Sequence, residues 1–93
     1  MIKVNEYFDG KVKSLDVSLA GKKRTLGAMA AGEFEFDTTT KETMTIISGE
    51  LAVYFPEDNE WEEFCEGCSF DVPANSKLKV KVTDTVGYLC EYE

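Results

Sequence analysis

Hydrophobic and polar residues alternate along most of this chain. The clearest alternation lies in residues 12–17, 33–37, 51–55, 78–82 and 86–92. Because successive side chains of a strand point to opposite faces of a sheet, this period of two predicts half-buried β-strands. No long stretch shows the 3.6-residue apolar period of an amphipathic helix. Short strands separated by turns predict an all-β barrel or sandwich.

Turn signals separate these strands. Pro56 ends the strand over 51–55, because proline cannot donate a hydrogen bond to the sheet ladder. The acidic segment 57–60 predicts a hairpin tip, and Trp61 begins the return strand. Lysines alternate with apolar residues in the strand over 78–82, and we interpret them as a solvated face: Lys77, Lys79 and Lys81.

Length and charge narrow the classes of protein. A chain of 93 residues predicts one domain spanning 1–93. Ten basic residues against 18 acidic ones give a net charge of −8, which disfavours nucleic-acid backbones and acidic membrane surfaces as partners. No apolar run approaches the roughly 20 residues that cross a bilayer, and the N-terminal residues lack the apolar region of a signal peptide. With an odd number of cysteines as well, we expect a cytoplasmic location with reduced thiols.

Five residues follow the spacing of a cupin barrel, in the order Gly32, Glu42, Gly49, Gly67 and Pro73. The sequence therefore predicts a single-domain cupin jelly-roll β-barrel. The chain has no histidine, and the positions at which cupins usually carry metal-binding imidazoles hold other residues: Thr38, Thr40 and Leu78. Because sites for zinc, iron and copper draw mostly on histidine and cysteine, we expect no metal cofactor.

Cys65 and Cys68 form a C-x-x-C motif that spans a predicted strand, turn and strand. A reactive pair needs a thiol pKa lowered by cations or by a helix N-terminus. The nearby Glu62, Glu63 and Glu66 act in the opposite direction, so the favoured interpretation is a pair of buried or half-buried structural cysteines.

The segment from Thr38 to Met44 suggests a ligand pocket. If alternation holds through it, Thr38, Thr40, Glu42 and Met44 share one face, which in a cupin looks into the barrel. Such a pocket suits a polyhydroxylated ligand, while a hairpin rich in strand-forming threonine is the alternative. Without histidine, no Ser–His–Asp or Cys–His arrangement is possible.

Several segments together resemble the small pyrimidine/purine nucleoside phosphorylases of the cupin superfamily. The similarity is carried by residues 5–14, 27–29, 42–51, 67–73 and 88–90, of which 5–14 is the most specific. The resemblance implies a homodimeric, metal-independent enzyme that needs no cofactor and uses inorganic phosphate as co-substrate. It would release the free base and ribose 1-phosphate from diverse nucleosides. A non-enzymatic cupin that binds a sugar or nucleoside is the alternative.

The basic segment 22–24 is the candidate for binding phosphate. Arg24 is the only arginine, and a guanidinium can hold phosphate through two parallel hydrogen bonds. A solvated loop is the other interpretation. We assign the phosphate to Arg24, assisted by Lys41 and by the hydroxyls of Thr38 and Thr40. By comparison with the family, Glu91 stands where a basic residue can occur.

The remaining candidates concern the ribose and the base. Cleavage of the glycosidic bond passes through a ribosyl cation-like state. We assign Glu42, together with Glu35, to stabilise that cation or to hold ribose hydroxyls, and Met44 to the pocket wall. Aromatic side chains are expected to stack on the base without reading its edge, which suits both purines and pyrimidines: Tyr54, Phe70 and Tyr88.

Overall fold

The structure is a computed structural model that describes residues 2–93. Within this range the chain forms strands and no helix, which confirms the all-β prediction. No helix of this part of the chain has the length and apolarity to cross a membrane. The ten strands are β1 (Val4–Tyr7), β2 (Val12–Asp16), β3 (Arg24–Met29), β4 (Gly32–Asp37), β5 (Glu42–Ser48), β6 (Leu51–Phe55), β7 (Glu60–Phe64), β8 (Ser69–Val72), β9 (Lys77–Val82) and β10 (Val86–Tyr92).

The strands form two antiparallel sheets. One has six strands in the order β1-β2-β3-β10-β5-β8, and the other has four in the order β4-β9-β6-β7. Several neighbours in each sheet are distant in sequence, as in a jelly roll. The cupin jelly roll is therefore confirmed, although within residues 2–93 no hydrogen-bonded ladder joins the two sheets into a closed barrel.

The core lies between the two sheets and follows the period-two pattern. Val12 and Val86 from the larger sheet and Val53 and Val80 from the smaller one are fully buried. Each buried valine stabilises the fold by about 1.5 kcal/mol or more relative to an exposed one. For β6 and β9, alternation therefore predicted both the strand and the face that carries its buried valines.

The lysine row on β9 faces solvent, as predicted. It lies beside an acidic row on β4, and Lys77 and Lys81 make ion pairs of 3.4 Å and 3.6 Å with Glu35 and Glu33. Exposed pairs of this kind contribute about 0–1 kcal/mol each. The row is a solvated face of the sheet.

Candidate functional site

A cavity of about 1320 Å³ opens between the sheets at the end where β5 begins and β10 ends. Its walls come from both sheets, and the register of the larger sheet sets its floor. Cys90 pairs with Thr25 on β3 and with Met44 on β5, and Tyr92 pairs with Glu42. The volume exceeds that of most small-molecule sites, so a ligand of two parts fits.

Glu42 is the carboxyl group on this floor. It is half-buried, and the Cys90 thiol donates a 3.3 Å hydrogen bond to its Oε1. Beside it, the Thr25 and Tyr92 hydroxyls form a 3.2 Å hydrogen bond. The carboxyl group is thus held by a neighbour on β10 while its second oxygen stays available to a ligand.

Burial controls the protonation of the groups on the floor. It raises the pKa of Glu42, while the Cys90 hydrogen bond and the charge of Lys23 lower it again. Burial also raises the pKa of Tyr88 and of Cys90 to about 12, and it raises the pKa of Tyr92. Around neutral pH Tyr88, Cys90 and Tyr92 are uncharged, which leaves Glu42 as the acidic group among these four.

Lys23 is a cation at the cavity whose charge acts on Glu42. Its Nζ lies 4.7 Å from the centre of the Tyr92 ring at the cavity opening, and its charge acts on both Glu42 and Asp16. Because it is exposed, its ammonium group is free to approach an anionic ligand.

Arg24 points the other way. It lies opposite Glu91 in the pairing of β3 with β10, on the outer face of the sheet, whereas its neighbour Thr25 is buried inside. The Arg24 Nε lies 3.5 Å from Glu91 Oε2 and, within residues 2–93, makes no hydrogen bond despite being buried. The predicted phosphate cation therefore borders the cavity but does not point to its floor.

Sequence reasoning missed Lys23 although the signal was present. Thr25 and Met29 are buried on β3. If the period of two continues to the residue before the strand, Lys23 lies on the same inner face as Thr25. Gly27 hides this count because it has no side chain. A glycine is needed at position 27, since a Cβ there would lie 2.6 Å from the Tyr88 hydroxyl and 2.8 Å from the Lys13 carbonyl oxygen.

Phe8 covers one side of the cavity with an unusual backbone. Its φ is 54°, a left-handed value that is rare for a bulky residue and costs about 1–3 kcal/mol. This conformation carries its ring from the β1–β2 turn onto the other sheet, 5.1 Å from the Phe34 ring and 5.5 Å from the Phe36 ring. Phe8 is nevertheless 43% exposed, so part of its ring remains free for a ligand.

Six of the ten predicted site residues line this cavity: Arg24, Glu35, Thr40, Glu42, Met44 and Tyr88. Met44 and Tyr88 belong to its buried floor, and Thr40 is exposed at its edge. Glu35 points outward and forms the ion pair with Lys77 described above. The set that converges on the interior is therefore smaller than the set predicted.

The other four predicted residues do not line the cavity. Thr38 does not share a face with Glu42, because residues 38–41 connect strands of different sheets and alternation does not continue through them. The Thr38 hydroxyl is buried, donating to the Pro73 carbonyl at 2.7 Å and accepting from the Ser76 amide at 3.0 Å. Lys41 pairs with Asp71 and Glu93, each at 3.8 Å.

The two remaining aromatic predictions also need correction. Tyr54 lies on the outer face of the smaller sheet, where it packs against Trp61 and under Lys79. Phe70 is buried in the core and stacks on Phe64 at 4.3 Å. Five aromatic residues line the cavity instead: Tyr7, Phe8, Phe36, Tyr88 and Tyr92.

Acidic side chains do not gather into a metal site in the described part of the chain. Among residues 2–93, no three His, Cys, Asp or Glu side chains are grouped so that they could hold a metal ion. Of such side chains in the described part of the chain, the thiol of Cys90 alone forms a hydrogen bond with Glu42. This donor set does not fit the metal centre usual in cupins.

Solved structures define the class. The chain is similar to a cupin superfamily protein from Desulfitobacterium hafniense, with a TM-score of 0.74, 17% identity, and coverage of 98% of this chain and 82% of that one. It is also similar to a protein of unknown function from Vibrio parahaemolyticus, with a TM-score of 0.95, 41% identity, and coverage of 100% and 99%. The fold is that of the cupins.

Sequence relatives define the family within that class. A family model described as pyrimidine/purine nucleoside phosphorylase matches residues 2–92. A pyrimidine/purine nucleoside phosphorylase from Pseudomonas syringae pv. tomato is 55% identical over 99% of both chains, and one from Pseudomonas fluorescens is 52% identical over 99% and 98%. The chain belongs to the pyrimidine/purine nucleoside phosphorylase family and is an enzyme, as the resemblance predicted.

Proposed function

We propose that this enzyme cleaves purine and pyrimidine nucleosides with inorganic phosphate, yielding free base and ribose 1-phosphate. The observation that carries the proposal is that a carboxyl group, Glu42, and an ammonium group, Lys23, line one open cavity together with aromatic rings. A negative group, a positive group and an apolar wall match the three parts of the reaction: developing cation, phosphate and base.

Lys23 binds the phosphate in this proposal. It stands at the cavity opening, and Lys3 and Lys22 line the same region. Arg24 adds positive potential from the outer face, where Glu91 partly neutralises it. Thr40 lies at the edge of the cavity and supplies a hydroxyl group, whereas Thr38 and Lys41 hold the connection between the sheets.

Glu42 stabilises the ribosyl cation. The bond between C1′ and the base nitrogen breaks, positive charge builds on the ribose ring, and a phosphate oxygen then bonds to C1′. A carboxylate held in a partly dry site interacts with that charge more strongly than it would in water. Burial raises the pKa of the neighbouring Tyr88 and Cys90 to about 12, so both stay neutral near pH 7 and Glu42 is the acidic group that acts on the ribose in this proposal.

The base stacks on the aromatic wall formed by Phe8, Phe36 and Tyr88. Stacking uses the face of a base, which purines and pyrimidines share, and contributes about 1–3 kcal/mol per base. In this proposal Phe8 and Phe36 take the role that the sequence suggested for Tyr54 and Phe70.

The test is base release from uridine and from adenosine, with and without phosphate, followed by chromatography. We expect release of both bases only when phosphate is present, and no change after treatment with a chelator. Release without phosphate would indicate a hydrolase and refute the proposal. Loss of release after chelation would refute the metal-independent part alone.

We also propose that two copies of the chain pack through the outer face of the larger sheet. Three apolar residues align across β1, β2 and β3 in register, and all are exposed: Val4, Leu15 and Leu26. A straight apolar row can pack against its own copy across a two-fold axis, and a small domain gains core area in this way. Light scattering should show a dimer for the wild type and a monomer for Leu26→Glu, whereas a dimeric variant or a monomeric wild type would contradict this interface.

A cytoplasmic location remains part of the proposal. It is supported by the odd number of cysteines, which does not form a disulfide framework of the kind found in secreted proteins.

A further inference from the structure

Two of the three thiols, those of Cys65 and Cys68, lie close together in the turn between β7 and β8. Neither takes part in the hydrogen bond that Cys90 makes with Glu42. The Cys68 amide donates to the Cys65 carbonyl at 3.0 Å, and Gly67 has a φ of 88°. These are the features of a four-residue β-turn whose third residue is left-handed. Such a turn brings its first and fourth Cα atoms within about 7 Å, a separation at which a disulfide can form.

The two cysteine side chains point toward each other across the turn. The Cys65 and Cys68 sulfur atoms lie 3.1 Å apart. Cys65 is exposed and Cys68 is half-buried, so the sequence expectation that both are at least half-buried is wrong for Cys65. A disulfide bond is about 2.05 Å long, so the sulfurs need to approach by only about 1 Å.

The backbone of the turn is held in place by β5. The Gly67 amide donates to the Ile46 carbonyl at 2.8 Å, and the Ile46 amide donates to the Cys68 carbonyl at 2.9 Å. The two cysteines therefore keep their relative position without help from the sulfur atoms. Closing a bond between them breaks none of these backbone hydrogen bonds.

We propose that Cys65 and Cys68 are a thiol–disulfide site that closes by exchange with a small-molecule disulfide of the glutathione type. The exposed Cys65 thiolate attacks the external disulfide, forms a mixed disulfide and releases one glutathione thiolate. The Cys68 thiolate then attacks the Cys65 sulfur and releases the second. Two protein thiols are oxidised, one glutathione disulfide is reduced to two thiols, and the two protein protons end on them.

The exchange is slow at neutral pH, so its equilibrium is the quantity to measure. The hydrogen bond with Cys68 raises the pKa of the Cys65 thiol, and the charge of Glu50 raises it further. The site also stands apart from the cavity, since Ile46 and Glu42 are four residues apart on β5, about 13 Å. Failure of this proposal would leave the proposed phosphorolysis untouched, and the reverse also holds.

The experiment equilibrates the purified protein in buffers of increasing glutathione disulfide to glutathione ratio, then quenches it in acid. Alkylation and peptide mass analysis follow. We expect the peptides carrying Cys65 and Cys68 to lose two hydrogen atoms and resist alkylation, while Cys90 stays a thiol. In Cys68→Ser, Cys65 should accumulate as a mixed disulfide with glutathione, because the attacking partner is gone. Cys90→Ser is the matched control and should close the bond as the wild type does.

Three results would overturn the proposal. Both thiols could remain open to alkylation in the most oxidising buffer. The wild type could accumulate glutathione on Cys65 as strongly as Cys68→Ser does. The bond could also form between two chains, which non-reducing electrophoresis would reveal.

Discussion

Replacing Lys23 and Arg24 separately by alanine tests which cation binds phosphate. Lys23 lies at the cavity opening and its charge acts on Glu42, whereas Arg24 lies on the outer face paired with Glu91. A hydrogen bond to a charged group contributes about 1.5–3 kcal/mol. Since about 1.4 kcal/mol corresponds to a factor of ten, Lys23→Ala should raise the KM for phosphate about 10- to 150-fold.

Arg24→Ala should have a much smaller effect. Its side chain and that of Glu91 are 32% and 42% exposed, and exposed pairs contribute about 0–1 kcal/mol. The expected rise in the KM for phosphate is therefore below about fivefold. The smaller effect also follows because the guanidinium acts on phosphate only through the field it adds at the opening.

The assay is the initial rate of base release against phosphate concentration at saturating nucleoside. Thermal unfolding of both variants serves as the control for folding, and high phosphate should restore much of the lost rate in Lys23→Ala. If Arg24→Ala raises the KM for phosphate more than Lys23→Ala does, the assignment of the cation is refuted. Arg24 would then have to turn inward when phosphate binds.

Three further predictions follow from the floor of the cavity. Glu42→Gln should lower kcat about a hundredfold or more and yet raise Tm at pH 7. The Tm rises because the pKa of Glu42 is higher in the folded protein than its ordinary value of 4.5, so the ionised carboxyl group reduces folding stability at pH values above both pKa values. Wild-type kcat, or a lower Tm, would contradict this. Cys90→Ala should move the acidic limb of the kcat profile to higher pH, because the Cys90 hydrogen bond lowers the pKa of Glu42 and its removal raises that pKa. Cys90→Ser should move the limb less, and identical limbs would count against the contact. Gly27→Ala should destabilise the fold by about 1–3 kcal/mol through the clash with Tyr88, seen as a Tm lower by several degrees, and an unchanged Tm would refute the close contact.

Much of the fold was readable from the sequence because burial and alternation are directly linked. The strands around Val53 and Val80 carry clean alternation, and the apolar residues that the sequence groups on one face include these buried valines. β1 and β3 were missed. Most of β1 is exposed, and Gly27 interrupts the side-chain pattern of β3.

The site was harder to predict because its residues lie on strands distant in sequence, and the pairing register of those strands decides which residues are neighbours. The sequence identified a basic segment, but its density does not tell which of Lys23 and Arg24 points inward. Thr38 was misplaced because alternation ends where the chain passes from one sheet to the other. Phe8 was not proposed as a site residue, since only the left-handed turn brings its ring across the gap between the sheets.

The central claim is that a phosphate oxygen replaces the base at C1′ of the ribose. Phosphate labelled with ¹⁸O in all positions, supplied with uridine in ordinary water, tests it most directly by mass analysis of the sugar product. We expect ribose 1-phosphate that retains every label, including the oxygen bonded to C1′. Free ribose carrying ordinary oxygen from water, formed at the rate of base release, would contradict it.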